Sequence, residues 1–382
     1  MHYLSLTWLS WMAGTVSVYW LAPREWRHWV LVAITIAFMA VHAPVSAVLL
    51  VGFTLISYYG TRTEMVSGWQ AIAVSSVMVV ILVIYKVAVS GVAGTIIENA
   101  VIPLGLSYYT FRCLHLVIER YKGAAPRTSF QECAQYLLFL PTIVVGPIHR
   151  YQEFCRDLRR HRWDFSMLTE GLERILYGYV KIAVLGNYLV STKFVELIED
   201  VPPESEGFRL YLLVVKNGLS IYFQFSGFSD VAIGFARLLG FKIIENFNWP
   251  YFQPNISAFW QCWHISLSAW CRNYIYDVVI ATLRSPALGA LATLTVIALW
   301  HEISPRYFVW GLYHGLGIVL WQQFQNVKQH FPKINSPVLK RFLYGLSVLL
   351  TVHFVWYSLV IVTQPTFLDV WHIYKTTLFF YL

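Results

Sequence analysis

The stretch "AVSSVMVVILVIYKVAV" (residues 73–89) carries one charged side chain, Lys86, in an otherwise apolar run. Its length approaches the roughly 20 residues that a helix needs to cross the hydrocarbon core of a bilayer. Comparable apolar runs recur along the chain, for example at residues 4–22, 30–41, 47–59 and 342–362. The pattern predicts an all-α, polytopic integral membrane protein with on the order of ten membrane-embedded helices, some of them short or broken.

The composition supports the same class of protein. Hydrophobic residues make up 57% of the chain and charged residues 13%, whereas about 25% of a soluble domain is charged. No internal repeat or flexible linker divides the sequence, so one membrane domain is expected. The first apolar run has no basic leader segment and no cleavage site, which predicts a retained helix and an outward-facing N-terminus.

Basic residues are concentrated in short segments between the apolar runs, at residues 22–28, 119–127 and 149–163. Loops that are rich in Lys and Arg usually face the cytoplasm. We therefore expect these segments on the cytoplasmic side, where they would attract anionic membrane lipids or an acidic partner. No recognition element accompanies them, so nucleic-acid binding is not expected.

Neither the cysteines nor the histidines have the spacing of metal ligands. The cysteines are scattered, at positions 113, 133, 155, 262 and 271. The "HE" at residues 301–302 would need a histidine at position 305 to match the zinc-protease pattern, and that residue is Pro305. No metal site is therefore expected.

Ionisable residues inside apolar runs are informative, because each costs roughly 2.5 to 3.5 kcal/mol to insert unless it is paired or hydrated. Asp230 lies inside such a run. On a helix, Ser226 is one turn before it and Arg237 two turns after it, which predicts a hydroxyl and a cation on its own face. The alternative is a purely structural pair or cap, at a helix that breaks near Gly227 and Gly234.

The stretch "NISAFWQCWHISLSAWCRNYIY" (residues 255–276) sets polar side chains among tryptophans. If residues 257–274 form one helix, His264, Ser268 and Arg272 follow one another at four-residue intervals and make one polar stripe. An amphipathic helix in the membrane interface would account for the tryptophans. A helix that lines a polar cavity would also account for the histidine and the arginine. Both interpretations stay open from the residues alone.

Two further histidines, His301 and His314, lie in the largely apolar stretch 288–321. Such a histidine is either a hydrogen-bonded core residue or a functional group. Imidazole takes up and returns a proton near neutral pH, so it can deprotonate a hydroxyl as that hydroxyl attacks a carbonyl. No phosphate loop, nucleophile elbow or dinucleotide fingerprint is present. The residues allow an intramembrane acyltransferase and, equally, a proton-coupled transporter.

Five segments carry a resemblance to a known family. They are "PLGLSYYTF" (103–111), "LPTIVVGPIHRYQEF" (140–154), "FSGFSDVAIGFARLLGFKIIENFNWPY" (225–251), "FWQCWHISLSAWCRNYIY" (259–276) and "ALWHEISPRYFVWGLYHG" (298–315). In this order they resemble the membrane-bound O-acyltransferase (MBOAT) family, and within it the bacterial branch that includes alginate O-acetyltransferase and the lipoteichoic-acid D-alanyl transferase. The resemblance implies a ring of roughly ten or more helices around a central funnel. It divides the chain into N-terminal transmembrane helices (1–99), a catalytic core (100–326) and a C-terminal transmembrane region (327–382).

The resemblance also assigns roles to residues. His301 in "LWH" corresponds to the principal catalytic histidine and is the expected general base for an acceptor hydroxyl. His264 in "WHISLS" corresponds to a second tunnel histidine and is the expected polarising or positioning partner. The expected supporting residues of the tunnel are Asp230, Ser268, Arg272, Asn273, Trp300 and Glu302.

Two of these supporting residues depart from the family pattern. Glu302 stands where the family commonly has glycine, and we expect it to narrow the pocket or to change the proton affinity of His301. Asn273 stands where the family commonly has aspartate, so a carboxylate that would hold a neighbouring cation is missing. Neither departure removes the histidines.

The implied activity is O-acyl transfer by a multi-pass protein of the bacterial cytoplasmic (inner) membrane. An acetyl group would pass from a cytoplasmic thioester, acetyl-CoA or an acyl carrier protein docked at residues 149–162, to a hydroxyl of an exported or cell-surface polysaccharide. No bound cofactor is expected, and a separate extracytoplasmic helper acyltransferase is a further expected partner. The alternatives are D-alanyl transfer from a carrier protein to a cell-envelope polymer, proton-coupled transport through a relay of Asp230, His264 and His301, and a structural scaffold for an exporter.

Overall fold

Helices dominate the structure, a computed structural model that describes residues 5–90, 102–160, 163–331 and 334–378. Parts of the segments discussed above, including residues 91–101 and 161–162, lie outside the described residues. No β-strand occurs in the described ranges, and one isolated antiparallel bridge joins Phe247 to Trp263. The all-α prediction is confirmed for this part of the chain, and the ring around a central funnel stays a prediction.

The first part of the chain forms α1 (Leu6–Leu21), α2 (Arg27–His42), α3 (Pro44–Thr61), α4 (Gly68–Ser90), α5 (Leu106–Tyr121), α6 (Phe130–Leu137) and α7 (Tyr151–Arg159). A continuous helical segment follows, made of α8 (Phe165–Tyr179), a wider π-helical portion (Val180–Lys193) and α9 (Phe194–Glu199). The rest forms α10 (Glu206–Leu238), α11 (Ile256–Cys262), α12 (Ile265–Cys271), a π-helical turn (Arg272–Tyr276), α13 (Asp277–Leu283), α14 (Pro286–His301), α15 (Pro305–Lys328), α16 (Pro337–Thr363) and α17 (Phe367–Leu378).

Among the described residues, α3, α4 and α16 are long and apolar enough to cross a membrane, and α2 and α14 are apolar but shorter. Only 6% of the apolar window of α4 is buried within the protein, against 39% for α3 and 44% for α16. An exposed apolar surface of this extent is typical of contact with lipid or with another protein. The spans therefore agree with the predicted membrane protein.

Contacts divide the chain into two compact units. The first unit combines Met1–Val180 with Gly227–Ile244, and the second combines Lys181–Ser226 with Glu245–Leu382. Helix α10 contributes residues to both units. The division into residues 1–99, 100–326 and 327–382 rests on the family resemblance and not on contacts, and it stays a prediction.

In the first unit, α8 approaches the end of α10 so closely that only glycine fits at the contacts. A Cβ on Gly178 would lie 2.8 Å from the carbonyl oxygen of Gly227. A Cβ on Gly234 would lie 2.8 Å from the carbonyl oxygen of Gly171. Any larger residue at these positions would push the two helices apart.

This approach gives Asp230 a partner from α8. Arg174 Nη2 lies 2.8 Å from Asp230 Oδ1, while the predicted partner, Arg237, places its Nε 2.7 Å from Glu170 Oε2. The prediction of an Asp230–Arg237 pair is wrong, because seven residues of helix separate the two by about 10 Å along the axis. Helix α10 is also continuous, so the predicted break beside Asp230 is absent.

In the second unit, three long helices begin at a Ser-Pro pair. The side chains of Ser285, Ser304 and Ser336 each accept a hydrogen bond from a backbone N–H in the first turn of α14, α15 and α16. The following proline is favoured there because its missing N–H would have no partner in the first turn of a helix. Local sequence thus sets where these helices start.

Helices α14 and α15 also pack closely. A Cβ on Gly311 would lie 2.7 Å from Ala298 Cβ and 2.8 Å from the carbonyl oxygen of Leu294. Ala298 is one turn before the end of α14, which is His301. The packing of α15 therefore holds the end of α14 that carries His301.

Candidate active site

The helix predicted for residues 257–274 is interrupted at its centre. Helix α11 ends at Cys262, and Trp263 is extended, with φ −103° and ψ 127°. His264 has a left-handed backbone, with φ 45° and ψ 51°. A residue in this conformation cannot continue a right-handed helix. The prediction of one continuous polar stripe is therefore wrong.

Hydrogen bonds from the preceding segment stabilise the break between α11 and α12. The backbone N–H of Asn248 donates to the carbonyl oxygen of Cys262 at 3.0 Å, and the N–H of Ile265 donates to the carbonyl oxygen of Asn246 at 2.9 Å. Backbone groups that leave a helix need such partners when they are buried. These bonds compensate for the helical bonds lost around His264.

The side chain of Asn246 sets the orientation and the proton of the His264 ring. Asn246 Oδ1 accepts hydrogen bonds from the backbone N–H of Ser266 at 3.2 Å and from Ser266 Oγ at 2.9 Å. It also lies 3.1 Å from His264 Nδ1. A backbone N–H can only donate, so Oδ1 is the acceptor, and His264 Nδ1 must carry the proton in this contact. The neutral ring then has its lone pair at Nε2.

Both predicted catalytic histidines line one cavity of about 100 Å³. The indole of Trp300 lies next to both imidazoles, with ring centroids 6.1 Å from His264 and 4.5 Å from His301. Trp300 itself does not line the cavity. Most of the side chains that line it besides the two histidines are aromatic, namely Phe225, Tyr251, Phe259, Trp260, Trp263, Tyr307 and Trp310. Walls of this kind lower the local dielectric constant, so charges that develop inside interact more strongly than they would in water.

His301 is exposed at the end of α14, in contrast to His264, which is buried. Its ring stacks against Tyr307 at 5.9 Å between centroids. The neighbouring Glu302 is extended, and its carboxylate lies 3.7 Å from Arg306 Nη2. Glu302 does not line the cavity, so the expectation that it narrows the pocket is not supported.

His314 lines the same cavity, but protein groups bond to both of its ring nitrogens. Trp260 Nε1 donates to His314 Nδ1 at 3.3 Å, and His314 Nε2 lies 2.8 Å from Ser358 Oγ. The Ser358 hydroxyl donates its hydrogen bond to the carbonyl oxygen of Val355 at 2.6 Å. Ser358 Oγ is therefore the acceptor in its contact with His314, and His314 Nε2 is the donor. His314 is therefore a satisfied core histidine, which is one of the two interpretations left open by the sequence.

Comparison with known proteins assigns the family. Residues 54–360 match the family described as "MBOAT, membrane-bound O-acyltransferase family". The chain belongs to this family. The matched MBOAT region contains the whole histidine cavity except Val362.

Curated relatives of this MBOAT chain fall under two names. "Probable alginate O-acetylase AlgI" from Pseudomonas fluorescens is 28% identical over 321 residues, which covers 80% of this chain and 63% of the relative. "Teichoic acid D-alanyltransferase" from Bacillus subtilis (strain 168) is 28% identical over 287 residues, which covers 71% of each chain. The chain thus spans less than two thirds of the length of the Pseudomonas relative.

Ser268 and Arg272 line a second cavity, of about 310 Å³, and not the histidine cavity. Trp260 belongs to the walls of both cavities. Asn273 follows Arg272 in the π-helical turn, is exposed, and lines neither cavity. Ser257 and Gln261 of α11 line the second cavity too, so α11 and α12 share this face.

Asp230 belongs to the first unit of the MBOAT chain, where its carboxylate pairs with Arg174. This pairing supports the structural interpretation of Asp230. Among the described residues, no group of three or more His, Cys, Asp or Glu side chains is placed to hold a metal ion.

Sequence reasoning missed Asn246, Trp260 and Ser358 as residues that control the histidines. Asn246 lies 18 residues before His264, and Ser358 lies 44 residues after His314. Neither pair has a helical or strand spacing that would reveal it. Asn246 does lie in the quoted family segment 225–251, and this is the signal that pointed to its neighbourhood.

Proposed function

We propose that this chain is a multi-pass O-acyltransferase of a bacterial cytoplasmic membrane. It transfers a short acyl group, namely acetyl, from a thioester on the cytoplasmic side to a hydroxyl of an exported polysaccharide. The observation that carries the proposal is the aromatic-walled cavity that both His264 and His301 line. The names of the relatives, an alginate O-acetylase and a teichoic acid D-alanyltransferase, support acyl transfer to an envelope polymer.

In the proposed reaction, the acceptor oxygen attacks the thioester carbonyl carbon while an imidazole takes the hydroxyl proton. The carbon–oxygen bond forms, the carbon–sulfur bond breaks, and the proton passes from the imidazole to the departing sulfur. We assign His301 as this base, because it is the exposed histidine of the cavity. It also ends α14, and the partial negative charge at a helix C-terminus stabilises an imidazolium there.

His264 is the proposed positioning residue. Because Nδ1 donates to Asn246, the neutral ring has a lone pair at Nε2. This nitrogen can accept a hydrogen bond from a second hydroxyl of the acceptor sugar, but it has no proton to donate to a carbonyl. The hydrogen bonding therefore favours the positioning role over the polarising role.

The size of the cavity favours a short acyl group. A cavity of about 100 Å³ has room for a small group such as acetyl. The proposed donor is acetyl-CoA or an acyl carrier protein, bound through the basic segment 149–162. A separate extracytoplasmic acyltransferase is the proposed helper.

The test is mass spectrometry of ester-linked acyl groups on cell-envelope polymers, at matched membrane abundance of the protein. The strains would carry wild type, His301→Ala, His330→Ala or no protein. His330 is an exposed histidine two residues after the end of α15, outside the cavity. Acetyl esters that appear with wild type and His330→Ala, and not with His301→Ala, support the proposal.

The other outcomes separate the alternatives. Alanyl esters in the same pattern assign the chain to D-alanyl transfer. Equal esters with His301→Ala and wild type contradict the role of His301. If no ester distinguishes wild type from the empty strain, acyl transfer is contradicted and proton-coupled transport becomes the better hypothesis.

A further inference from the structure

The first unit contains a polar cavity of about 440 Å³ that is separate from the histidine cavity. Its lining residues come from the α1–α2 connection and the first residues of α2, from α6 and from the end of α7. They include Arg24, Arg27, His28, Glu132, Gln135 and Arg159. Arginines from two basic segments that lie far apart in the sequence, Arg24 and Arg27 in the first and Arg159 in the second, therefore meet at one cavity.

The cavity has an excess of positive charge. Three arginines and one glutamate line it. Arg159 Nη2 pairs with Glu132 Oε1 at 2.7 Å, so the charge of Arg159 and the charge of Glu132 compensate each other. Arg27 donates to two neutral backbone carbonyl oxygens, and Arg24 is exposed. The two remaining guanidinium charges favour an anionic ligand.

Gln135 provides a second and independent indication of a ligand. Its side chain is 1% exposed and lines the cavity. Neither Nε2 nor Oε1 has a hydrogen-bond partner among the described residues. A buried amide without partners is costly, and in native proteins such a group usually has a ligand or water to bond to. A ligand that satisfies both atoms must offer an acceptor oxygen to Nε2 and a donor to Oε1.

We propose that this cavity binds a phosphate ester that carries a hydroxyl or amide N–H next to the phosphate. The phosphate oxygens accept hydrogen bonds from Arg24, Arg27 and Gln135 Nε2, and the neighbouring donor bonds to Gln135 Oε1. Guanidinium groups match phosphate oxygens in geometry and in charge. Two sources share this chemistry: the headgroup of an anionic phospholipid, and a soluble phosphorylated thioester carrier such as coenzyme A.

The test measures binding directly and does not depend on acyl transfer. The full chain is placed in nanodiscs of phosphatidylcholine and titrated with coenzyme A and with inorganic phosphate. In parallel, nanodiscs that contain phosphatidylglycerol are used to count retained lipid by native mass spectrometry. Each measurement compares wild type with Arg24→Gln, Gln135→Met and Arg156→Gln. Arg156 is the matched control, because it is an exposed arginine on α7 that does not line the cavity.

We expect Arg24→Gln and Gln135→Met to weaken binding of one probe about tenfold, which corresponds to about 1.4 kcal/mol. Arg156→Gln is expected to stay within about twofold of wild type, because exposed charges outside a site contribute little. Loss of coenzyme A binding identifies the soluble source, and loss of retained phosphatidylglycerol identifies the lipid.

Equal binding by all four proteins would overturn the proposal, as would the absence of binding of every probe to wild type. A thermal unfolding curve shows whether Gln135→Met still folds. Arg24 is exposed, so Arg24→Gln keeps the test decisive even if the buried variant does not fold.

Discussion

The break between α11 and α12 and the middle of α15 each bury one histidine of the same cavity. His264 at the break is 2% exposed, and His314 in the continuous helix is 1% exposed. Residue type and burial therefore do not distinguish the two histidines. Their hydrogen bonds differ, because Asn246 engages only Nδ1 of His264 in the contacts described above, whereas Trp260 and Ser358 engage both nitrogens of His314. Hydrogen bonding, and not burial, is therefore what distinguishes the proposed positioning histidine, His264, from His314.

The largest expected effect tests the His264 side of this comparison. His264→Gln removes the ring that would position the acceptor, and misplacement of a reacting group costs about 100-fold in rate. We expect kcat/KM for acyl transfer to fall by about this factor, with the unfolding temperature close to that of wild type. The measurement is transfer from a radiolabelled thioester to polymer by purified protein. A variant with wild-type kcat/KM would remove His264 from the site.

The matching change at His314 is expected to affect stability more than activity. His314→Leu leaves Trp260 Nε1 without its acceptor and Ser358 Oγ without one donor. Loss of these buried hydrogen bonds is expected to lower the free energy of unfolding by about 2 kcal/mol. Denaturation in detergent measures this loss, with His330→Leu as an exposed control. The distinction between the two histidines fails if folded His314→Leu protein loses activity as strongly as His264→Gln.

Asn246 offers a finer test, because its side chain bonds to the ring of His264 as well as to Ser266. Asn246→Leu removes the acceptor for Nδ1 and is expected to lower kcat/KM about tenfold, the effect of losing one hydrogen bond of roughly 1.4 kcal/mol. Asn246→Asp keeps an acceptor and is expected to recover most of that loss. Its negative charge stabilises the imidazolium, so more alkaline conditions are needed to form the neutral ring.

The pH–rate profile distinguishes this role from a purely structural one. For Asn246→Asp, the acidic limb is expected to move to higher pH relative to wild type. An unshifted profile, or an Asn246→Asp variant as weak as Asn246→Leu, would show that Asn246 supports only the backbone of the break.

The smallest effect is expected at Glu302. Its carboxylate lies near Arg306 and does not line the histidine cavity. An ion pair between partly exposed side chains contributes only about 0 to 1 kcal/mol. Glu302→Gln is therefore expected to change the rate by less than about twofold at pH 7. A larger change, measured with the same transfer assay, would show that Glu302 acts on His301.

The sequence predicts the helical class well, because a long apolar run inside a bilayer must satisfy its own backbone hydrogen bonds, as a helix does. The runs at 73–89 and 342–362 are α4 and α16, and both are long and apolar enough to span a membrane. The break at His264 is not predictable in this way. No proline or glycine occurs between residues 256 and 276, and the bonds that stabilise the break come from Asn246 and Asn248.

The partner of Asp230 shows the same limit. Helical spacing places Arg237 on the same face of α10 as Asp230, but about two turns of helix separate the two side chains. Arg174 reaches Asp230 from α8 because glycines allow the two helices to approach. Pattern within one helix cannot reveal a partner that another helix supplies.

The helical membrane class, the family motifs and the positions of His264 and His301 follow from the sequence alone, because the length of the apolar runs and the identity of the residues are enough to find them. Three other relations required the folded chain: both imidazoles line one cavity, Asn246 holds the proton on Nδ1 of His264, and Ser268 and Arg272 line another cavity. These relations depend on hydrogen bonds and packing between segments that are distant along the chain. Local periodicity carries no information about such contacts.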